Sequence, residues 1–283
     1  MLILPTMANR LLEGLQDVVR SAIAEDVGSG DITAELISAD KQSTARVICR
    51  EHATICGEPW VNEVFHQIDP DVVVTWEKRD GDSIDPGEVV FVARGRARSL
   101  LTAERTALNF LQTLSSVATS AREIADQVRH TRVNILDTRK TIPGLRLAQK
   151  YAVQTGGCFN HRIGLYDAYL IKENHINASG GITKAIENAR ALHPDRKVEV
   201  EVETLAQLNE ALAAKADIVL LDNFTLEMLR EAVMINDGRA KLEASGGYDI
   251  KSAVVVAETG VDYISVGSLT KHIQATDFTM LFE

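Results

Sequence analysis

The sequence lacks the features of disulfide-rich and membrane-spanning proteins. Only 3 of its 283 residues are cysteine, and Cys49, Cys56 and Cys158 form no C-x-x-C spacing. We therefore expect small buried thiols, not disulfides or a zinc site. No run approaches the ~20 apolar residues that span a bilayer, and no basic stretch followed by an apolar one opens the chain. A cytosolic protein with no membrane partner is expected.

Basic residues are also in the minority, since 30 Lys and Arg against 40 Asp and Glu give a net charge of −10. An acidic balance argues against general attraction to nucleic acid or to anionic lipid. Any anionic ligand must then be held by a local basic cluster. What the chain does contain is 45% apolar and 25% charged residues, a globular composition with material for a large core.

The first third of the chain predicts a small domain of mixed helix and strand. Apolar residues at helical spacing predict a helix over Leu11–Ile23 and a loop over 25–31. The predicted strands are Ala45–Cys49, Val72–Trp76 and Val89–Ala93. A long helix is predicted from Leu100 to about Arg129. We place the domain boundary inside that helix.

The remainder of the chain alternates short apolar strands with helical segments. The predicted strands are Val133–Leu136, Ala168–Ile171, Val198–Val202, Ile218–Leu221, Lys241–Ala244 and Tyr263–Val266. Strands that alternate with crossover helices are typical of a parallel sheet. We favour an α/β barrel, with a doubly wound open sheet as the alternative.

Residues of functional type follow each of these strands. They are Asp137 to Lys140, Lys172 to His175, the alternating Glu199, Glu201 and Glu203, Asp222 with Asn223, Ser245 to Gly247, and Gly267 with Ser268. Because α/β barrels carry their active sites at the C-terminal ends of the strands, these groups are expected to share one rim. Three carboxylates on one face of a covered strand are costly unless paired, so we expect all three glutamates to point into that rim.

The predicted rim contains an anion site and a cation site. The basic residues between 138 and 172 are Arg139, Lys140, Arg146, Lys150, Arg162 and Lys172, against the single acid Asp167. Arginine forks and lysine point charges together suit a small polyanion. The two glycine–serine loops suit a phosphate, and Glu201 with Asp222 could hold Mg²⁺. Arg146 and Lys150 are expected on the solvated face of a helix.

These motifs closely resemble those of the quinolinate phosphoribosyltransferases over nearly the whole chain. The matching stretches of the second half are Asp137 to Arg146, Gln149 to Val153, Gly156 to Arg162, Leu170 to His175, Val198 to Glu203, Leu220 to Phe224, Glu243 to Gly247 and Val266 to Ser268. In the first domain, Glu25-Asp26, Gly30 to Thr33 and Leu101 to Asn109 also match.

The resemblance implies an incomplete (β/α) barrel with a smaller N-terminal α+β domain. The implied domains are 1–115, with the tail 271–283 packing back on it, and the barrel, 116–270. The implied reaction transfers phosphoribosyl from 5-phosphoribosyl-1-diphosphate to quinolinate, giving nicotinate mononucleotide, diphosphate and CO₂ in NAD biosynthesis. The resemblance also implies a homodimer, or a larger assembly of dimers, in which Arg105 reaches into the neighbouring subunit's site.

The resemblance further implies a role for each site residue. Arg139, His161, Arg162 and Lys172 would hold the quinolinate carboxylates, Thr138 and Lys140 would complete the pocket, and Ser245, Gly246, Gly247, Val266, Gly267 and Ser268 would cradle the 5-phosphate. Glu201 and Asp222 would face the ribose and Mg²⁺. Since departure of diphosphate leaves an oxocarbenium-like ribose, Glu201 and Asp222 suit the sugar and Lys140 the leaving group.

Other functions are compatible with parts of this pattern. A Schiff-base lyase could use Lys140 or Lys172, which sit where barrel aldolases place their nucleophile. That alternative leaves the glycine–serine loops and the arginines without a role. A dicarboxylate-binding regulator does not explain Glu201 and Asp222 opposite the basic cluster. A related phosphoribosyltransferase for another ring acid is a further alternative.

Overall fold

The computed structural model describes residues 10–283, which form two compact units. The first unit contains residues 10–122, 141–157 and 272–283. The second contains residues 123–140 and 158–271. Each unit is assembled from separate stretches of the chain, so the unit boundaries differ from the single predicted domain boundary at 115/116. That domain boundary stays a prediction.

The first unit is built on a four-stranded antiparallel sheet in the order β12-β1-β5-β3. Its elements are α1 (Leu15–Val27), a 3₁₀ turn (Ala34–Leu36), β1 (Gln42–Cys49), β2 (Ala53–Thr54), α2 (Glu58–Ile68), β3 (Val73–Trp76), β4 (Ser83–Ile84), β5 (Val89–Arg96), most of α3 (Ala97–Val128), α4 (Arg146–Thr155) and β12 (Phe278–Phe282). The register pairs Trp76 with Phe91, whose ring centroids lie 4.7 Å apart in the core. Aromatic pairs at this separation stabilise a core beyond their buried area.

Two features of the first unit differ from the predictions. Helix α1 continues through Glu25 and Asp26, which the sequence placed in a loop, and it ends only at Gly28, whose φ of 53° few other residues adopt. Strand β12 was not predicted from the residue pattern, and it pairs antiparallel with β1.

The second unit is built on a six-stranded parallel sheet in the order β6-β11-β10-β9-β8-β7. Its elements are β6 (Asn134–Leu136), β7 (Tyr169–Ile171), α5 (Glu173–Ser179), α6 (Ile182–Leu192), β8 (Val198–Val202), α7 (Leu205–Ala213), β9 (Ile218–Asp222), α8 (Leu226–Asn236), β10 (Lys241–Ser245), α9 (Ile250–Ala257), β11 (Tyr263–Ser265) and α10 (Ser268–Lys271). All six strands match predicted strands to within one residue at each end.

The strand order identifies this sheet as an incomplete barrel. Strands β7 to β11 follow one another in chain order, and β6 pairs beside β11 instead of beside β7. Such an order is cyclic, with a gap between β6 and β7, whereas a doubly wound sheet reverses its order at a switch point. The prediction of an incomplete (β/α) barrel with a smaller N-terminal α+β domain is therefore confirmed.

Among the described residues, no helix combines the length and the apolar character needed to cross a membrane.

Candidate active site

The end of the first barrel strand is tied to the loop that follows α4. Asp137 is fully buried, and its carboxylate accepts hydrogen bonds from the His161 backbone N–H (2.9 Å) and from the Asn160 side-chain amide (2.7 Å). The aspartate that opens the Asp-Thr-Arg-Lys motif therefore shapes the loop carrying His161 and Arg162. No separate pattern in the sequence indicates this role.

Arg139 and Arg162 lie close enough to influence each other. Burial lowers the pKa of Arg162, and the positive charge of Arg139 lowers it further. The Arg162 guanidinium donates to the Ala168 carbonyl (3.2 Å). Two guanidiniums close enough to repel each other suit an anionic ligand with more than one carboxylate.

Asp167 fixes the turn that follows Arg162. Its carboxylate accepts hydrogen bonds from the backbone N–H groups of Ile163 (2.7 Å) and Gly164 (3.1 Å). Asp167, the single acid of the basic segment, thus binds backbone N–H groups.

Arg146 and Lys150 lie on helix α4 of the first unit, as predicted. Lys150 is fully buried, so the prediction that it lies on a solvated helix face is wrong.

Lys172 and Glu201 form an ion pair at the ends of β7 and β8. The register pairs Ile171 with Val200, so that the next residues of the two strands stand side by side. Glu201 is 16% exposed and Lys172 is 48% exposed, which places the pair at the edge of the barrel interior. Commitment of Lys172 to this ion pair disfavours its use as a Schiff-base nucleophile.

Asp222 ends β9 in register with Ser245 of β10, so both side chains point to the same face of the sheet. Asn223, at a φ of 55°, turns the chain and donates from its side chain to Asp222 (2.8 Å) and from its backbone to the Ser245 carbonyl (2.8 Å). Burial raises the pKa of Tyr248, and the charge of Asp222 raises it further. Tyr248 is therefore a neighbour of Asp222 that the sequence reasoning missed.

The two glycine–serine loops occupy neighbouring strand ends. Gly246 and Gly247 follow β10, and Gly247 adopts a φ of 71°. A Cβ atom on Gly267 would lie 3.2 Å from Cδ of Lys140 and 3.5 Å from Oγ1 of Thr138. Glycine at this position therefore allows the loop after β11 to approach the Thr138–Lys140 segment closely.

Hydrogen bonds of the Lys140 backbone connect the Thr138–Lys140 segment to the same rim. The Lys140 N–H donates to Oγ1 of Thr138 (3.1 Å), and the Lys140 carbonyl accepts from the Thr270 hydroxyl (2.9 Å). Val266, the first residue of the second loop, donates its N–H to the Leu136 carbonyl (2.8 Å). The second unit thus contains every predicted site residue except Arg105, and Thr138, Lys172, Asp222, Ser245 and Val266 stand at or just after the C-terminal ends of its strands.

Arg105 lies on α3 in the first unit, where it is exposed. Burial raises the pKa of the adjacent Glu104 carboxyl, and the charge of Arg105 partly offsets that shift. The participation of Arg105 in a neighbouring subunit's site stays a prediction.

The prediction that Glu199, Glu201 and Glu203 share the rim is wrong for Glu199. Glu199 is only 3% exposed, and its Oε2 lies 3.0 Å from Nε2 of His161, whose ring also lies 3.5 Å from Oε2 of Glu243. Burial raises the pKa of Glu243, as does the charge of Glu199. Glu203 is exposed. The sequence indicates that the glutamates of β8 alternate with buried valines. It does not indicate that Glu199 is buried inside the barrel.

The fold and the polar strand ends define an α/β-barrel enzyme. Residues 31–115 match the family model of the quinolinate phosphoribosyl transferase N-terminal domain, and residues 117–281 match that of the C-terminal domain. The chain belongs to the quinolinate phosphoribosyltransferase family.

Individual relatives agree with this assignment. A probable nicotinate-nucleotide pyrophosphorylase (carboxylating) of Bacillus subtilis is 39% identical over 94% of this chain and 92% of that protein. The nicotinate-nucleotide pyrophosphorylase (carboxylating) of Mycobacterium leprae is 40% identical over 94% of this chain and 96% of that protein. The structure of the Francisella tularensis nicotinate-nucleotide pyrophosphorylase superposes with a TM-score of 0.93 at 50% identity, covering 95% of this chain and 96% of that one.

Proposed function

We propose that this protein transfers the phosphoribosyl group of 5-phosphoribosyl-1-diphosphate to the ring nitrogen of quinolinate, releasing diphosphate and CO₂ and forming nicotinate mononucleotide. The observation that carries this proposal is the rim of the second unit. There the cationic Arg139, Arg162 and Lys172 occur with Glu201 and Asp222 in a chain of the matching family.

Quinolinate carries two adjacent carboxylates, which the paired guanidiniums of Arg139 and Arg162 would bind as planar forks. Lys172 would add a third positive charge, with its ion pair to Glu201 holding the ammonium in place. Thr138 and Lys140 would complete this pocket. The family resemblance also includes His161, although its ring contacts the buried carboxylates of Glu199 and Glu243.

The activated sugar would occupy the glycine–serine loops. Backbone N–H groups of Ser245 to Gly247 and Val266 to Ser268 would hold the 5-phosphate, since such loops at barrel strand ends favour phosphate. Glu201 and Asp222 would lie beside the ribose, where negative charge stabilises the oxocarbenium character of C1. Lys140 would stabilise the departing diphosphate.

The donor set of Glu201 and Asp222 fits Mg²⁺, which prefers one or two carboxylates together with substrate oxygens. Their strands are neighbours, and the register places both side chains on one face of the sheet. When bound with the diphosphate, Mg²⁺ would supply positive charge to the leaving group. Magnesium dependence remains part of the proposal.

The reaction needs no protein nucleophile, because the quinolinate nitrogen itself attacks C1 as the C1–O bond to diphosphate breaks. The protein's task is to hold the nitrogen in line with C1, which is a problem of orientation. The new C–N bond leaves a ring cation. The 2-carboxylate then departs as CO₂, its bonding electrons remain on the ring carbon, and that carbon takes up a proton.

A direct assay tests this function. Purified protein would be incubated with 5-phosphoribosyl-1-diphosphate and quinolinate, with and without Mg²⁺, and CO₂, diphosphate and nicotinate mononucleotide would be measured. Equal amounts of the three products are expected. A matched reaction with nicotinate, which lacks the 2-carboxylate, should release no CO₂. Turnover of nicotinate in preference to quinolinate would instead favour a phosphoribosyltransferase for another ring acid.

We further propose that the active form is a homodimer, or an assembly of dimers, in which Arg105 of the partner subunit completes each site. Mixing the two separately inactive variants Arg105→Ala and Lys172→Ala should then restore part of the activity, because a hybrid dimer contains one intact site. The measurement is nicotinate mononucleotide formation after chain exchange. No recovery, with hybrid dimers demonstrated, would mean that Arg105 acts within its own chain or has no role.

A further inference from the structure

The loop after β10 carries a tyrosine that has no part in the reaction as described so far. Tyr248 directly follows residues 245–247, the loop proposed to hold the 5-phosphate, and its side chain is half-buried. Its hydroxyl makes no hydrogen bond among residues 10–283. The hydroxyl of Tyr151, by contrast, donates to Asp80 (2.9 Å). A half-buried hydroxyl without a partner in the protein calls for an acceptor from elsewhere.

The backbone on both sides of Tyr248 is fixed. Gly247 turns the chain at a φ of 71°, which favours glycine. Asp249 caps helix α9, because its carboxylate accepts hydrogen bonds from the N–H (2.8 Å) and the hydroxyl (2.7 Å) of Ser252. Tyr248 therefore extends from a defined backbone position, and the charge of Asp249 is already used by the helix.

The end of the Tyr248 side chain lies beside Gly246. A Cβ atom on Gly246 would lie 3.4 Å from the Tyr248 hydroxyl oxygen and 3.3 Å from Oδ1 of Asn223. Glycine at this position therefore leaves room for the phenol to lie against the loop. The hydroxyl is thus held next to the same backbone that is proposed to cradle the 5-phosphate.

The side chains on β9 next to this hydroxyl present acceptors. The carboxylate of Asp222 lies close enough for its charge to act on the Tyr248 hydroxyl. Because the amide nitrogen of Asn223 donates to Asp222 (2.8 Å), the amide oxygen is the atom that faces Gly246. A phosphate in the loop would be repelled by these oxygens. A phenol, which is protonated at neutral pH, supplies a donor at this position.

We propose that Tyr248 is a further substrate-binding residue, whose hydroxyl donates a hydrogen bond to an oxygen of the 5-phosphate of 5-phosphoribosyl-1-diphosphate. The hydroxyl adds a side-chain donor to the backbone N–H groups of the loop, on the side of the phosphate nearest Asp222. This inference rests on the proposed function, because the sugar phosphate is the substrate of that reaction. Tyr248 is given no part in quinolinate binding.

Steady-state kinetics of Tyr248→Phe test the inference. The variant keeps the ring and loses the donor, and a hydrogen bond to a charged group corresponds to about a tenfold change in affinity. The KM for 5-phosphoribosyl-1-diphosphate should therefore rise about tenfold, with the KM for quinolinate changed less than about twofold. Tyr169→Phe is the matched control, because it removes a hydroxyl that contacts His193 from the N-terminal end of β7. An unchanged KM for 5-phosphoribosyl-1-diphosphate in Tyr248→Phe would overturn the proposal.

Binding of ribose 5-phosphate tests the contact without turnover. Calorimetry should show a Kd about ten times higher for Tyr248→Phe than for the wild type, and an unchanged Kd for Tyr169→Phe. In wild-type protein labelled with carbon-13 at tyrosine Cζ, the signal that is absent from Tyr248→Phe should shift on addition of ribose 5-phosphate. Ribose at the same concentration should leave that signal in place. An equal shift with ribose, or no shift with either compound, would contradict a bond to the phosphate.

The two hypotheses fail in different ways. If the wild-type protein forms no nicotinate mononucleotide, the proposed function fails, while binding of ribose 5-phosphate still tests the role of Tyr248. If the wild-type protein is active and Tyr248→Phe matches it in both the KM for 5-phosphoribosyl-1-diphosphate and the Kd for ribose 5-phosphate, only the inference about Tyr248 fails.

Discussion

Two buried carboxylates of this protein, Asp69 in the first unit and Glu243 in the second, have opposite surroundings. Asp69 accepts two hydrogen bonds from the Arg96 guanidinium (2.8 and 2.5 Å), one from the Ser99 hydroxyl (2.6 Å) and one from the Asp71 N–H (3.1 Å). These bonds, above all those of Arg96, hold the pKa of Asp69 far below its ordinary value. Burial, and next the like charge of Glu199, raise the pKa of Glu243, whose cationic neighbour is the His161 ring at 3.5 Å.

The difference separates a carboxylate with a full set of donors from one with few. A buried charge with a full set of donors stabilises the fold, whereas one with few donors destabilises it and persists where function requires it. Substitution at Asp69 should therefore affect stability alone. Substitution in the barrel of the second unit should affect activity, with a smaller or opposite effect on stability.

The largest effect is expected for Asp69→Ala. Loss of the carboxylate leaves Arg96 and Ser99 without their acceptor and should lower the free energy of unfolding by about 3 kcal/mol. Urea denaturation at pH 7 measures this change, and Asp71→Ala, at a position 84% exposed, is the control. Because the pKa of Asp69 is lowered by folding, its contribution is present above the ordinary value near 3.9 and is lost as pH falls further. An equal loss in the control would place the stabilisation elsewhere.

A smaller effect, seen in activity, is expected for Arg162→Lys. Lysine keeps the charge but loses the planar fork, so the KM for quinolinate should rise about 30-fold, which corresponds to about 2 kcal/mol. The urea midpoint should not change. Arg230→Lys on α8, where the side chain is exposed, is the matched control. An unchanged KM would remove Arg162 from the site.

Asp222→Asn should lower kcat more than it changes the KM for quinolinate. The amide keeps the shape but loses the negative charge beside the ribose, so kcat should fall about tenfold while the KM for quinolinate changes less than about twofold. Steady-state kinetics with both substrates varied provide the test. The reverse pattern, a raised KM at unchanged kcat, would make Asp222 a binding residue.

The smallest effect, and the only gain in stability, is expected for Glu243→Gln. Because folding raises the pKa of Glu243, the wild type loses stability as pH rises from the ordinary value near 4.3 toward the raised value. The variant has no such dependence and should be more stable by about 1 kcal/mol at pH 8, with a smaller difference at pH 5. Thermal unfolding at the two pH values, with Glu187→Gln as reference, measures this difference. A constant difference would exclude titration of Glu243 as its cause.

Much of the fold could be predicted because the barrel strands are short segments rich in apolar residues that alternate with helical segments. Val198–Val202 was predicted with its observed bounds, and the other five barrel strands differ by one residue at an end. The residue pattern did not predict strand β12, because its pairing with β1 joins residues more than 200 positions apart; only the family resemblance implied that the tail packs on the first domain. Helix α2 has a proline in its first turn, which is common at helix starts, but the helix was not predicted from the sequence.

The candidate-site residues at the strand ends could be predicted from the sequence. The residues whose role depends on how deeply they are buried in the barrel could not. Lys172, Glu201 and Asp222 follow from strand position alone. Glu199 and Glu243 occur in the same alternating pattern as the rim residues Glu201 and Ser245 but two residues earlier along their strands, where they contact His161. Asp137 was read as the start of a basic motif, although its hydrogen bonds make it part of the loop's framework.

The pairing of β1 with β12 has a consequence for how the chain is made. Residues 42–49 are synthesised more than 200 residues before their partner residues 278–282. The N-terminal sheet therefore has an unsatisfied edge during most of translation, and such edges promote aggregation until they are covered. A nascent chain stalled before residue 278 should consequently bind chaperones more readily than the finished polypeptide.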